Sequence, residues 1–190
     1  MNIRESGMPA QTYWETLFDV PLILDAFGFT STTGDVAELG CGYGTFTIPL
    51  AQRIRGTVHA LDLDPAMVAT TSARAISSAL PNIRASVRDV LLDGFGLAPA
   101  SCDAALLFNI LHAEEPVALL HAARDIVSPG GFIAVIHWRS DLPTPRGPSL
   151  AIRPTPAQIL TWAASAGGLT APATPLVLPP WHYGLALRRT

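Results

Sequence analysis

Short apolar runs alternate along the chain with segments in which apolar residues recur at helical spacing. The runs are bounded by Gly, Pro or Asp and predict buried strands, which lie at residues 36–39, 57–63, 83–87, 103–108 and 132–138. The helical spacing predicts helices at residues 45–54, 65–79 and 116–127, whereas residues 90–101 predict only a short crossover. Strands that alternate with helices favour an α/β fold, with a parallel sheet wound on both faces.

The two ends of the chain depart from this alternation. Residues 9–27 predict a helical stretch in which Pro21 marks a break or a new start. Near the other end, a proline-rich loop at residues 140–154 and a helix at residues 157–166 precede two strands. The strands lie at residues 174–178 and 182–188 and are joined by Pro179-Pro180-Trp181. We expect one domain of residues 1–190, with residues 1–30 as a helical cap and residues 139–155 as a loop placed to act as a lid.

The first strand leads directly into three glycines at alternate positions, Gly40, Gly42 and Gly44. Glycines allow a positive φ and let a ligand approach the backbone closely. The helix that follows offers free N–H groups and a partial positive charge, which suits a nucleotide-like ligand with a carboxylate or phosphate. The spacing differs from the dinucleotide fingerprint G-x-G-x-x-G, because the third glycine comes one residue early and Glu38 stands two residues before the first.

Acidic and polar residues end the next three strands. Asp62 follows the glycines at the offset at which a carboxylate can accept two hydrogen bonds from a ribose diol. The alternative is that Asp62 or Asp64 only caps the helix from Pro65, a role we assign to Asp64. Asp89 ends the third strand and is either a ligand contact or a turn aspartate. Ligands of open α/β sheets collect at the carboxyl ends of strands.

The motif E-x-G-x-G-x-G, read at Glu38 to Gly44, resembles the first motif of the class I S-adenosylmethionine (SAM) dependent methyltransferases. With Asp62, Asp89 and the turn Pro129-Gly130-Gly131, the resemblance extends over residues 34–138. The end of the fourth strand is similar to the leucine-histidine endings of small-molecule methyltransferases of the ubiquinone-biosynthesis type. The resemblance implies a five-stranded parallel sheet closed by an antiparallel pair, with a small molecule as methyl acceptor and S-adenosylhomocysteine (SAH) as product.

The resemblance also implies the residues of the SAM site. Glu38 orders the loop and is a candidate contact of the methionine amino group, Asp62 holds the ribose, and Asp89 meets the adenine amino group. Cys41 is expected to be a small buried residue and not a nucleophile. The full set of expected SAM contacts is Glu38, Gly40, Cys41, Gly42, Gly44, Asp62, Leu63, Asp89, Val90, Asn109 and Tyr13.

His112 is the candidate catalytic residue. It lies just past the fourth strand, where an imidazole could take a proton from a hydroxyl, thiol or amine acceptor. Glu114 is the nearest acid in sequence that could orient it. The alternative role is structural, with His112 only holding the loop that leads to Pro116. Tyr13 or Trp14, Trp181 and Arg153 are further candidates for substrate contacts, although core packing is the favoured explanation for the aromatic residues and a solvated loop charge for Arg153.

Composition bears on the partners, the cellular location and the metal dependence of the protein. A net charge of −3 without a basic run argues against a nucleic-acid partner. The charged fraction of 14% is low and leaves apolar surface for a homodimer contact or a substrate mouth. Two cysteines suggest no disulfide, and the sequence shows no signal-peptide core or membrane-spanning run, so we expect a cytoplasmic protein without a membrane partner. No zinc pattern is present, so metal independence is expected.

Two alternatives to the methyltransferase remain at this stage. An NAD(P)-binding oxidoreductase is disfavoured by the glycine spacing and by the absence of lysine from the whole chain, which excludes a Tyr-x-x-x-Lys pattern. A SAM-binding accessory module without turnover stays open, because cofactor motifs persist in proteins that have lost their chemistry.

Overall fold

The computed structural model describes residues 8–113, 115–171 and 174–190. The chain forms two compact units, one that ends at Asp89 and one that begins at Val90. The first seven residues of the predicted cap lie outside the described residues. The expectation of a single domain over residues 1–190 therefore stays a prediction.

Three parallel strands form the sheet of the first unit. They are β1 (Val36–Leu39), β2 (Val58–Asp62) and β3 (Ile83–Val87), in the spatial order β3-β2-β1. Val36 pairs with Val58, and Val58 pairs with Ile83, so the strands begin in register. Because the strands are parallel, their carboxyl ends meet at one edge, where the glycine loop leaves β1.

Two of the four helices described in the first unit begin at an aspartate cap. The four helices are α1 (Gln11–Glu15), α2 (Val20–Ala26), α3 (Thr47–Arg53) and α4 (Pro65–Ser77). Asp19 caps α2 by accepting from the Leu22 N–H, so the predicted break at Pro21 is a new helix start. Asp64 caps α4 by accepting from the Ala66 N–H, as predicted. Helix α3 begins later than residue 45 because Gly44, at φ +75°, still belongs to the loop.

The second unit ends in antiparallel strands, as predicted. Its strands are β4 (Cys102–Phe108), β5 (Val127–Trp138), β6 (Leu169–Thr170), β7 (Leu176–Leu178) and β8 (His182–Arg189). Strand β4 pairs with β5 in parallel. Strand β8 runs antiparallel to β5, and both β6 and β7 pair with β8. Strand β6 was not expected, because two residues carry too short a pattern to predict.

Three helices accompany these strands: α5 (Val90–Asp93), α6 (Pro116–Ile126) and α7 (Pro156–Ala166). The four-residue α5 is the short crossover that residues 90–101 predicted. Thr155 and Gln158 form a reciprocal capping box at the start of α7. The proline-rich loop before α7 contains a short 3₁₀-helix, Leu150–Ile152. Among the described residues, no helix has both the length and the apolar character needed to cross a membrane.

The predicted start of β5 is wrong. The Pro129-Gly130-Gly131 segment was expected to be a turn before a strand at residue 132, but β5 already begins at Val127. Cys102 pairs with Val127 while Ala104 pairs with Phe132, so the segment is an irregularity within the strand. A Cβ at Gly131 would lie 2.5 Å from the Asp103 carbonyl oxygen, which explains the glycine there.

Candidate functional site

The glycine loop follows β1 and takes a left-handed backbone at each of its three glycines. The φ angles are +76° at Gly40, +54° at Gly42 and +75° at Gly44. Residues with a Cβ rarely adopt this conformation, so the alternate spacing of the glycines is a requirement of the backbone path. The loop is therefore a preformed turn at the carboxyl end of the sheet.

The N–H groups of this loop are largely paired within the protein. Those of Gly40 and Cys41 both donate to the Leu61 carbonyl, at 2.7 and 3.0 Å. The Gly42 N–H donates to Asp62 Oδ2 at 2.8 Å, and the Gly44 N–H to the Cys41 carbonyl at 2.8 Å. These four N–H groups belong to the loop and not to the N-terminus of α3, where free N–H groups were expected. What the glycines offer a ligand is close approach to the backbone.

Two side chains of α4 hold the carbonyl groups of the loop. The buried Thr71 donates its hydroxyl to the Gly42 carbonyl at 2.9 Å. One turn further, Arg74 Nη1 donates to the Tyr43 carbonyl at 2.6 Å and to Glu15 Oε1 at 2.7 Å. Positions three apart share a helix face, so both side chains reach the loop together. The Glu15 contact also ties α1 to the loop.

Asp62 links the end of β2 to the glycine loop with both of its carboxylate oxygens. Oδ2 accepts from the Gly42 N–H, and Oδ1 accepts from the Asp64 N–H at 3.0 Å. A carboxylate has about four lone-pair sites, so each oxygen can accept one more hydrogen bond. Asp62 is only partly buried, and it therefore combines a fixed position with spare acceptor capacity.

Glu38 is a buried acid beneath the loop, with 2% of its surface exposed. Its Oε2 accepts a hydrogen bond of 2.5 Å from the Thr47 hydroxyl, at the start of α3. Burial raises the pKa of Glu38 to about 8, and the negative charge of Asp62 adds to this, although the Thr47 hydrogen bond opposes it. The charge of Asp62 thus disfavours the ionised form of Glu38, and a cation near the two groups would favour that form.

Cys41 occupies the slot between the first two glycines. It is buried, and burial together with the charges of Glu38 and Asp62 raises its pKa. It therefore remains a neutral thiol, consistent with the expected space-filling role. Cys41 and Cys102 do not form a disulfide in the structure.

The other expected contacts of the first unit lie around Asp62 and on α1. Leu63 follows Asp62 and is 43% exposed, an apolar side chain at a strand end. The Arg88 N–H donates to the Asp62 carbonyl at 2.9 Å, which holds Asp89 near the end of β2. Tyr13 on α1 is 43% exposed. Its neighbour Trp14 is half-buried and packs edge-on against Phe18.

The second unit carries the remaining expected residues. Val90 is buried at the start of α5. Asn109 follows β4 with a left-handed backbone at φ +58°, and its N–H donates to the Ile136 carbonyl at 2.8 Å. Its side-chain oxygen is buried without a hydrogen-bond partner among the described residues. Asn109 thus ends β4 in a turn that directs the chain towards His112.

His112 contacts a second histidine. Its Nδ1 lies 3.2 Å from Nε2 of His137 in β5, and the two rings meet edge to face. Burial lowers the pKa of His112. Burial also lowers the pKa of His137 to about 3, although a hydrogen bond to the Trp138 carbonyl opposes this. Glu114, the expected orienting acid, lies outside the described residues, and the observed partner of His112 is a neutral imidazole.

Arg153 is not a solvated loop charge. It is 7% exposed and donates to backbone carbonyls of the proline-rich loop, at Pro148 (2.8 Å), Arg139 (2.9 Å), Arg146 (3.3 Å) and Leu142 (3.5 Å). Burial lowers its pKa, but a guanidinium stays charged. Arg153 therefore holds the loop together from inside. His182 and Tyr183, which follow the candidate Trp181, are buried in β8.

Sequence reasoning missed the residues that support the site: Thr47, Thr71, Arg74 and His137. Thr71 and Arg74 share a helix face, but that spacing has meaning only once α4 is known to lie beside the loop. His137 reads as one more residue of a buried strand, and nothing local marks it.

Comparison with known proteins identifies the family. A family model described as a methyltransferase domain matches residues 36–131, just over half of the chain. The curated relative aklanonic acid methyltransferase DauC, from Streptomyces sp. (strain C5), is 33% identical over 107 residues. That match covers 54% of this chain and 47% of the relative, so the chain spans about half of the relative's length.

Solved structures give the same fold. A SAM-dependent methyltransferase from Aquifex aeolicus superimposes with a TM-score of 0.83 over 95% of this chain and 94% of its own, at 19% identity. Geranyl diphosphate C-methyltransferase from Streptomyces coelicolor A3(2), solved with Mg²⁺, geranyl diphosphate and SAH, gives a TM-score of 0.73 over 90% and 78% at 15% identity. The chain has the Rossmann-like fold of class I SAM-dependent methyltransferases and belongs to the methyltransferase domain family.

Proposed function

We propose that this protein binds SAM at the glycine loop and transfers its methyl group to a small-molecule acceptor. The observation that carries the proposal is Asp62, which is fixed by two backbone N–H groups and still has one acceptor site on each oxygen. A ribose presents two adjacent hydroxyl donors, which match these two sites. Leu63, exposed beside Asp62, supplies an apolar surface for the adenine ring.

The charge of the site favours SAM over a dinucleotide. Glu38 and Asp62 are close enough for the charge of Asp62 to raise the pKa of Glu38. SAM brings a positive sulfonium and a positive amino group, which are attracted to the charge of Asp62 and favour the ionised form of Glu38. A pyrophosphate would bring negative charge to the same loop, where the N–H groups of Gly40, Cys41, Gly42 and Gly44 are already paired. This supports SAM and argues against the NAD(P)-dependent alternative.

The remaining expected contacts take their roles from the same proposal. Gly40 and Gly42 allow the methionyl part to approach the backbone, and Gly44 lets the chain turn into α3. Asp89 and Val90 meet the adenine edge, and Tyr13 covers the ligand from α1. Asn109, whose side-chain oxygen is buried without a partner among the described residues, is a further acceptor for the ligand.

When bound, SAM supplies a methyl group that its sulfonium has already activated. The protein has to hold the acceptor in line with this methyl group and exclude water, and such alignment contributes roughly 7–11 kcal/mol in well-organised sites. An acceptor that carries a proton needs a base. We assign this role to His112, which is half-buried and whose lowered pKa keeps it neutral near pH 7.

The acceptor is a small molecule in this proposal. The relatives named above act on aklanonic acid and on geranyl diphosphate, and aklanonic acid is the first compound to test because DauC is a curated relative. The net charge of −3 disfavours a nucleic acid. A homodimer, metal independence and a cytoplasmic location remain predictions.

Transfer of label from methyl-labelled SAM tests the function. The purified protein is incubated with labelled SAM and either aklanonic acid or a small-molecule extract, and the organic-soluble fraction is counted and analysed by mass spectrometry. We expect label in one acceptor and an equal amount of SAH. SAM that binds but never loses its label to any acceptor would favour the accessory module without turnover.

A further inference from the structure

A chain of hydrogen bonds runs through two histidines in the second unit. Nδ1 of His137 lies 3.2 Å from the Trp138 carbonyl oxygen, and Nε2 of His137 lies 3.2 Å from Nδ1 of His112. Both distances fall within the range of N–H hydrogen bonds. Three groups are therefore connected in a fixed order: the carbonyl, His137 and His112.

The first acceptor in this chain determines the proton positions. A carbonyl oxygen can only accept, so Nδ1 of His137 carries a proton. His137 is fully buried and its pKa is lowered to about 3, so its ring is neutral and Nε2 has a lone pair. Nδ1 of His112 must then be the donor. Because His112 is also neutral, its own Nε2 is left without a proton.

We propose that His137 is a positioning residue that holds His112 as the Nδ1–H tautomer, so that Nε2 of His112 is the basic nitrogen of the site. This inference rests on the proposed function, since a base has a role only if an acceptor is methylated. It adds a second histidine to that function. His137 does not touch the reacting atoms and acts only through His112.

The surroundings of His137 keep its ring in place. Its ring lies 6.4 Å from that of Tyr183, and the Tyr183 hydroxyl donates to the Pro154 carbonyl at 2.6 Å. Register with β8 also fixes the backbone, because His137 pairs with Tyr183 and Trp138 pairs with His182. A fixed acceptor selects one tautomer of its partner, as orienting groups do for other catalytic histidines.

The proton balance of the step is simple. The acceptor's O–H, S–H or N–H bond breaks and its proton moves to Nε2 of His112, which becomes an imidazolium. The electron pair released on the acceptor forms the new bond to the methyl group. The pair of the broken sulfur–methyl bond remains on sulfur, which leaves SAH. Throughout, Nδ1–H of His112 keeps its hydrogen bond to His137.

Nitrogen NMR of the imidazole rings tests the proposal without an acceptor. The protein is labelled with ¹⁵N-histidine, and two-bond correlations between ring protons and nitrogens report which nitrogen of each ring carries the proton. The His112→Gln variant assigns the His112 signals. In the wild type we expect a proton on Nδ1 and a bare Nε2 for both His112 and His137.

Two substitutions of His137 separate orientation from packing. His137→Phe keeps an aromatic ring against Tyr183 but removes the acceptor, so His112 should shift to the Nε2–H tautomer. His137→Gln can place its carbonyl oxygen near the position of Nε2 and should restore the Nδ1–H tautomer. The exposed His121 on α6 is the internal control, and its signals should not change in either variant.

The proposal is overturned if wild-type His112 carries its proton on Nε2, or if His137→Phe leaves its tautomer unchanged. Should the Phe variant fail to fold, the wild-type spectrum alone decides the question. Calorimetry with SAH on the same samples keeps the two proposals apart. If the wild type does not bind SAH, the proposed function is contradicted, whereas the tautomer of His112 is still read from the spectrum.

Discussion

The glycine loop of the first unit and the histidine pair of the second are built in different ways. The loop is determined by backbone conformation, with three positive φ angles and N–H groups that bond within the segment and to the end of β2. The pair depends on two side chains 25 residues apart in sequence. His137 lies in β5, and His112 lies just after the neighbouring strand β4. The loop is a property of local sequence, whereas the pair exists only once β4 and β5 are in register.

Burial shifts pKa values in opposite directions in the two regions. Beneath the loop, burial raises the pKa of an acid, Glu38 of β1, to about 8. In the second unit, burial lowers the pKa of His137 and of His182 to about 3 each. Both environments therefore favour the neutral form, as expected when ionisable groups leave water. A cationic ligand changes this balance at Glu38, and the histidines stay available as neutral bases and acceptors.

The largest expected effect concerns His112. If it is a general base, His112→Ala should lower turnover by roughly 10²–10⁴-fold with little change in SAM affinity. Turnover is measured with the acceptor found by label transfer, and affinity by calorimetry. His121→Ala, which removes an exposed histidine of α6, is the matched control and should leave both unchanged. A loss of only a few-fold, with an acceptor that needs deprotonation, would leave catalysis to alignment alone.

The second effect is a loss of stability on replacing a glycine by alanine, and two glycines separate the cost of backbone strain from the cost of a steric contact in the loop. Gly28 and Gly44 have similar φ angles, +78° and +75°, but a Cβ at Gly28 meets nothing within 4 Å, whereas one at Gly44 lies 3.0 Å from Thr71 Oγ1. Gly28→Ala should cost about 1–2 kcal/mol of stability from the left-handed backbone alone. Gly44→Ala should cost about 1–3 kcal/mol more, because Thr71 is buried and holds the Gly42 carbonyl.

Urea denaturation measures both variants, and calorimetry with SAH measures the site. Only Gly44→Ala should weaken SAH binding, since only that change disturbs the loop. Equal stability losses in the two variants would show that the Thr71 contact has no cost, and the loop would then be determined by its φ angles alone.

The smallest effect is a pH dependence of stability, to which the two regions contribute in opposite directions. The pKa of Glu38 is raised from 4.5 to about 8, so its contribution is complete below pH 4.5 and is lost as the pH rises through 8. The pKa values of His137 and His182 are lowered from 6.5 to about 3, so their contribution is complete above pH 6.5 and is lost as the pH falls towards 3. These three groups together place the maximum of stability near pH 6.5.

For each proton by which the folded and unfolded states differ, the free energy of unfolding changes by about 1.4 kcal/mol per pH unit. Free energies of unfolding of the unliganded protein, from urea titrations between pH 5 and 8.5, should decline on both sides of the maximum. Glu38→Gln should remove the decline above pH 6.5 and leave the acid side in place. A wild-type stability that rises from pH 6.5 to 8 would contradict the assignment of Glu38.

Much of the fold could be predicted because its boundaries are marked by residues with one physical role. Strands β1 and β3 begin and end where predicted, since both are short runs between polar or glycine residues. Asp64 before Pro65 identified the start of α4. The start of β5 was missed because proline and two glycines normally end a strand, whereas here the neighbouring β4 accommodates them as an irregularity.

The site was predictable only as far as its residues are local. The glycines and Asp62 follow from spacing, and the structure brings them together. Arg153 shows where this reasoning stops, because an arginine in a proline-rich stretch resembles a surface charge, yet it binds four carbonyl groups of its own loop. Only tertiary structure could supply those carbonyls, and the same holds for His137.

The central claim is that the glycine loop and Asp62 bind SAM, and calorimetry with wild type and Asp62→Ala tests it most directly. Wild type should bind SAM and SAH, with NAD and NADP far weaker. Asp62→Ala should weaken both by up to roughly 1.5–3 kcal/mol for each lost ribose hydrogen bond. Asp64→Ala, which removes the cap of α4, is the control for stability. Unchanged SAM affinity in Asp62→Ala, or wild-type binding of NAD in preference to SAM, would contradict the account.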